Sequence, residues 1–158
     1  MEYPKELIQE ASLRMNGRPV EGFIAGQGPL HPKLMLVGEA PGKTEIDTHV
    51  PFSGQAGKEL MQALSSTGLT REDVYITSAV RSRPYRVVQR INKRTKQQEI
   101  VYPNRTPTKA EVLAHAPILD YEIKQVQPQL IATLGNIGLQ RLLGKEYTVT
   151  KNHGQLYT

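Results

Sequence analysis

The chain has 158 residues, 38% of them hydrophobic, with no cysteine and a formal net charge of +5. That length predicts a single domain spanning residues 1–158 with a substantial core, and the missing cysteines exclude disulfides, thiolate metal sites and a cysteine nucleophile. No stretch approaches the roughly 20 apolar residues of a membrane span, and Met1-Glu2-Tyr3-Pro4 lacks the basic-then-apolar order of a signal peptide, so a cytoplasmic setting away from membranes is expected.

Residues 5–15 read as a helix, with Leu7, Ile8 and Ala11 on one side. The apolar run Leu34-Met35-Leu36-Val37 reads as a buried strand that breaks into Gly38-Glu39-Ala40-Pro41-Gly42. A second glycine-rich stretch, Pro51 to Gly57, opens an amphipathic helix from Ala56 to Leu64 that Gly68 ends. Asp73 to Val80 is rich in β-formers and reads as a second strand. Residues 85–105 are polar, basic and poorly periodic, so they read as an inserted loop or hairpin. A helix follows from Lys109 to about Gln127, opened by the capping box of Thr108 and Glu111, with Pro117 restarting or kinking it. Leu130 to Gly135 is a third strand, and Asn136 to Leu143 a short helix ended by Gly144.

Strands that are apolar throughout and alternate with helices predict a parallel sheet covered on both faces. Ligands bind such sheets at the carboxyl ends of the strands. The loops Gly38–Gly42, Ser78–Arg83 and Gly135–Asn136 should therefore converge.

Glycine lets main-chain amides approach a ligand closely, and a helix N-terminus attracts anions. A strand, an amide-rich loop, a lone aromatic and a helix start together suit a polyanion carrying a flat ring. Gly38 to Thr44 also ends in Gly-Lys-Thr, but only three residues separate its glycines where a triphosphate-binding loop has four, and Pro41 removes an amide from the cradle. Charge adds a second clue. Nine basic residues face one acid between Arg81 and Lys109, while the rest of the chain holds eleven against fourteen. That concentration fits either a local nucleic-acid contact or a solvated loop.

Taken in order, Gly38-Glu39-Ala40-Pro41-Gly42, Pro51-Phe52-Ser53-Gly54-Gln55-Ala56-Gly57, Tyr75-Ile76-Thr77-Ser78, Arg81-Ser82-Arg83-Pro84, Asn104-Arg105-Thr106-Pro107 and Leu134-Gly135 resemble the motifs of the uracil-DNA glycosylase superfamily, nearest to its family 4. The resemblance covers residues 33–144. It implies an α/β fold: three layers, α/β/α, around a central, mostly parallel four-stranded sheet. It also implies a monomer that acts on DNA containing uracil and hydrolyses the N-glycosidic bond in base-excision repair. A non-catalytic DNA-binding module of the same fold, or a glycosylase for another deaminated base, is the alternative.

Under that resemblance Phe52 stacks on the extruded base, unless it is an ordinary core aromatic. The amides of Glu39 and Ala40 face the uracil carbonyl, where charge grows as the base leaves. Either Glu39 or Glu45 positions the attacking water. Ser53, Gly54 and Gln55 hold a DNA phosphate at a helix start, with plain capping by Ser53 as the rival reading. Arg86, Arg90, Lys93, Arg94 and Lys96 sit beside the pocket and reach DNA, with Arg90, Lys93 and Arg94 on phosphates.

The chain departs from the family pattern at three places. Ser78 stands where the family reads uracil with asparagine, and a single hydroxyl discriminates less. Family 4 carries an iron–sulfur cluster on four cysteines. Here Ser82 and His115 occupy two of those positions and the N-terminal pair is missing, so no cluster and no other cofactor or metal is expected. His115 by itself reads as a packed or helix-surface histidine. The family's second catalytic motif, a His-Pro-Ser-like loop, follows a strand that His153-Gly154-Gln155-Leu156-Tyr157 resembles, so the chain reads as truncated at its C-terminal side.

Overall fold

The computed structural model describes residues 1–158. Three strands form its central sheet: β2 (Leu34–Gly38) lies between β3 (Tyr75–Ser78) and β7 (Leu130–Thr133), and both pairings are parallel. Parallel neighbours need long crossovers, and helices supply them. Helices α2 (Lys43–Thr48) and α3 (Gln55–Ser65) connect β2 to β3; α4 (Lys109–Val126) precedes β7, and α5 (Asn136–Leu143) follows it.

Alternation along the strands sends side chains to two cores. Met35, Val37 and Tyr75 pack with Leu119, Ile123 and Val126 of α4 and Leu142 of α5. Leu36 and Ile76 pack on the opposite face with Leu60, Met61 and Leu64 of α3. The layers are thus α/β/α. The chain leaves β2 towards one face and its two neighbours towards the other. That reversal opens a crevice at the carboxyl end of β2, where Gly38 begins its loop.

The sheet has three strands, not the four that the family resemblance implies. At its β3 edge the only further pairing is the antiparallel bridge of Gln27 with Ile76, because Gly28 at φ 147° turns the chain away. Residues 153–157, expected to be strand-like, are not a strand. Gly154 at φ 71° reverses the chain after α6 (Val149–Asn152), and Tyr157 meets Tyr147 edge-on at 5.3 Å.

Helix α1 (Lys5–Met15) packs along α4 and buries Ala11 and Met15. The Thr108–Glu111 capping box opens α4 as the sequence predicts. The helix runs unbroken through Pro117; the carbonyl that loses its amide partner belongs to Leu113, an exposed residue whose oxygen water can serve. Beyond the sheet, β1 (Val20–Glu21) pairs with β4 (Arg83–Pro84). Residues within 85–105 form an antiparallel hairpin of β5 (Val88–Ile91) and β6 (Gln98–Val101).

A buried polar hub ties the N-terminal segment to the loop after β3. Arg81 and Glu122 are both fully buried and pair at 2.5 Å. The Tyr3 and Tyr75 hydroxyls donate to Glu122, the Gly26 amide donates to the Tyr3 oxygen, and Arg81 Nε donates to the Ser78 carbonyl.

Candidate active site

A cleft of about 630 Å³ opens at the carboxyl end of β2. Its walls are Glu39 to Gly42, Glu45 on α2, and Arg86, Asn104, Arg105 and Thr106 from the stem of the hairpin. The strand end dictates the first wall. Once Gly38 leaves the ladder, the Glu39 and Ala40 amides find no acceptor within the chain. Unpaired donors of this kind suit an anion.

Two carboxylates face this cleft. Burial pushes the Glu39 carboxyl above its ordinary range, with the Thr106 side chain pulling the other way. Glu45 sits in the first turn of α2, where the helix dipole favours an acid. Its Oε2 is buried without a hydrogen-bond partner. Gly42 lets Asn104 come close: a Cβ on that residue would stand 2.8 Å from Asn104 Nδ2 and 3.7 Å from Glu45 Oε1. The orientation of Asn104 is forced: its Oδ1 accepts from Arg83 Nε at 2.6 Å, and a guanidinium can only donate. Arg83 is itself held by Glu21 and the Tyr102 carbonyl. The free end of Asn104 is therefore its donor.

Phe52 is half-buried, with its ring over Gly38. It does not line the cleft of Glu39 and Glu45 but a shallower cavity of about 460 Å³, with Ser53, Lys58, Met61 and Arg71. Its backbone is left-handed at φ 53°, a sparsely populated state for a bulky residue. Several neighbours impose it. Arg71 donates to the Pro51 carbonyl at 2.7 Å and to the Phe52 carbonyl at 2.5 Å. Gly57 leaves room for that carbonyl, and Gly38 leaves room for the ring; a methyl group at either would overlap Phe52.

The remaining expected residues are placed as follows. Ser53 Oγ donates to the Val50 carbonyl and accepts from the Thr48 hydroxyl at 2.6 Å, so it does not cap α3. Gly54 is the N-cap of α3, no side chain caps that helix, and Gln55 is its first residue. Ser78 lines neither cavity: it is 7% exposed and its hydroxyl donates to the Val80 carbonyl at 2.7 Å. Lys93 and Arg94 lie at the exposed hairpin tip, whereas Arg90 Nε is tied to Glu99 at 2.7 Å. Gly135 adjoins Glu39, and the loop after β3 bonds back to it through the Val80 amide and Glu39 carbonyl.

Sequence reasoning missed Asn104, Arg83 and Arg71. Asn104 and Arg83 lay within quoted motifs, and their signal was the motif itself. Arg71 had none, because its partners are carbonyls about twenty residues away.

Ser82 and His115 both line a cavity of about 360 Å³ beside the end of α1, with Met15 and Arg18. His115 Nδ1 faces the Glu111 carbonyl at 3.2 Å, so Nδ1 carries the proton. Ser82 donates to the Gly22 carbonyl. One imidazole, one committed hydroxyl and a thioether do not fit an iron–sulfur cluster, which needs thiolates.

A strand-end crevice with unpaired amides, two acids and a fixed amide donor defines an α/β protein whose cleft suits an anionic group. The sequence profile described as the Uracil DNA glycosylase superfamily matches residues 25–157, and the chain belongs to that superfamily. It is similar to the type-4 uracil-DNA glycosylase of Thermotoga maritima, 35% identical over 94% of this chain and 71% of that one. It is also similar to the type-4 enzymes of Saccharolobus solfataricus, at 34% over 85% of this chain and 57% of that one, and Pyrobaculum aerophilum, at 37% over 76% and 53%. The chain therefore spans between half and about seven tenths of the length of these relatives.

Proposed function

We propose that this protein hydrolyses the N-glycosidic bond between uracil and deoxyribose in DNA, as the first step of base-excision repair. The observation that carries the reading is one cleft that brings together the unpaired Glu39 and Ala40 amides, the Glu45 carboxylate and the donor end of Asn104. A water in that cleft accepts from Asn104 Nδ2 and gives its proton to Glu45 as its oxygen bonds to C1′. The C1′–N1 bond breaks, and uracil leaves as an anion whose charge the Glu39 and Ala40 amides meet. The nearby carboxylates balance the cationic sugar.

The base must first leave the stack, at a cost of a few kcal/mol. Phe52 is the stacking face, and its ring lies against the residue preceding Glu39. The uncapped first turn of α3, with Ser53, Gly54 and Gln55, takes a phosphate. Lys93 and Arg94 at the hairpin tip take further phosphates; Arg90 joins them only where a phosphate displaces Glu99. We read the protein as one domain, monomeric and cytoplasmic, needing no cofactor for this step. Alkali treatment after incubation with a uracil oligonucleotide tests the reading: strand cleavage supports it, and intact DNA at high protein concentration overturns it.

One observation favours a broader substrate range. The Ser78 hydroxyl is committed to a main-chain carbonyl, so it offers a base edge little discrimination. Comparing deoxyuridine, deoxyinosine and deoxyxanthosine oligonucleotides measures that breadth.

A further inference from the structure

The β5–β6 hairpin has two unlike faces. Its register pairs Val88 with Val101 and Arg90 with Glu99 on one of them. Val88, Glu99 and Val101 there are half-buried. Strand alternation puts Val87, Gln89, Ile91, Gln98, Ile100 and Tyr102 on the other. The four large apolar side chains of that outer face are open to solvent, at 61% for Val87, 64% for Ile91, 53% for Ile100 and 52% for Tyr102. A two-stranded ribbon is marginal in water by itself, and an apolar strip rimmed by polar groups marks an interaction site.

Both ends of the strip are cationic. At the tip, Asn92 Oδ1 accepts from the Arg94 and Thr95 amides at 2.9 and 3.1 Å, and Lys96 at φ 61° closes the turn. Lys93, Arg94 and Lys96 are thereby held outward on an ordered apex. At the base, Arg86 lines the cleft and the Tyr85–Asn104 bridge joins the two strands of the stem. The one acid of the hairpin, Glu99, is already paired with Arg90. A second copy of this chain would bring like charge to both ends of the strip, whereas a nucleic acid brings the opposite charge.

We propose that the outer face of this hairpin is a duplex-binding surface: it seats in a groove beside the extruded nucleotide, with its apolar side chains against sugar and base edges and Lys93 and Arg94 on the flanking phosphates. A two-stranded ribbon matches the major groove in width, and apolar side chains there meet thymine methyl groups and base edges. The inference rests on the glycosylase reading for the position of that nucleotide in the cleft.

The test uses the full chain and a duplex containing uracil next to 2-aminopurine, titrated at several salt concentrations. Ile91→Ser with Ile100→Ser should weaken duplex binding about tenfold and reduce the rise in 2-aminopurine fluorescence, with the salt slope unchanged. Lys93→Ser with Arg94→Ser should instead lower the slope of log K against log salt by roughly 1.8, two phosphates' worth. Val87→Ser, outside the strand ladder, gives the same reading if melting curves show the double variant unfolded. Wild-type duplex affinity in the apolar variants overturns the proposal. So does sedimentation showing a wild-type dimer that these substitutions dissociate. Uracil release is scored separately: duplex binding through these residues without base release defeats the glycosylase reading alone, and undiminished binding with release defeats this proposal alone.

Discussion

At Phe52 the chain holds a bulky residue in a left-handed backbone, a state costing of order 1–3 kcal/mol that persists only where the surroundings over-determine it. Arg71, Gly57 and Gly38 do so together. Arg71→Met should therefore lower kcat/KM at least tenfold for a uracil substrate while the protein stays folded, as steady-state kinetics and a melting curve together would show. Glu45→Gln removes the proton acceptor, and a loss of about 100-fold or more in single-turnover rate is expected. Gly42→Ala tests the Asn104 donor. Gly42 has an ordinary φ of −102°, so alanine adopts the backbone, but its methyl group would stand 2.8 Å from Asn104 Nδ2 and push the amide aside. Turnover should fall about tenfold or more; wild-type rates would mean that Asn104 does not hold the water. The place of residues 39, 40 and 45 beside the end of β2 was legible from the motif and its spacing. The committed hydroxyl of Ser78 and the forced orientation of Asn104 were not, since each depends on a partner that only folding supplies.

Among the elements, α4 carries the clearest pH dependence. Burial holds His115 down to about 4 from 6.5, so the unfolded chain takes up a proton first and stability falls as pH drops from 6.5 to 4. The Arg105 guanidinium holds Glu111 down to about 2 from 4.5, extending the loss as pH falls from 4.5 to 2. Denaturant titrations should show both steps, and His115→Asn should flatten only the upper one. In the hub beneath, Glu122→Ala strands the buried Arg81 charge and should cost about 3–5 kcal/mol. Helices α1, α3, α4 and α5, the three strands and the Thr108–Glu111 cap followed from periodicity and end signals, whereas the four-residue α6 did not. Helix α2 did not, because six mostly exposed residues show no periodic apolar face. The fourth strand came from family likeness, and the strand-like segment which that likeness offered, residues 153–157, turns away at Gly154 instead.

On the scale of the whole molecule, the topology brings the stem of the cationic hairpin to the cleft at the β2 end. No helix is long and apolar enough to cross a membrane. Affinity for DNA should weaken with salt by roughly 0.7 to 0.9 log units per log unit for each phosphate neutralised; a salt-independent interaction would contradict a nucleic-acid partner. The most direct measurement of the central claim is mass-spectrometric detection of free uracil after incubating a uracil-containing oligonucleotide with excess protein, beside the Glu45→Gln variant. Free uracil in step with alkali-labile sites, and about 100-fold slower in the variant, is the predicted result. No uracil from the wild-type protein, or equal release from both, contradicts it.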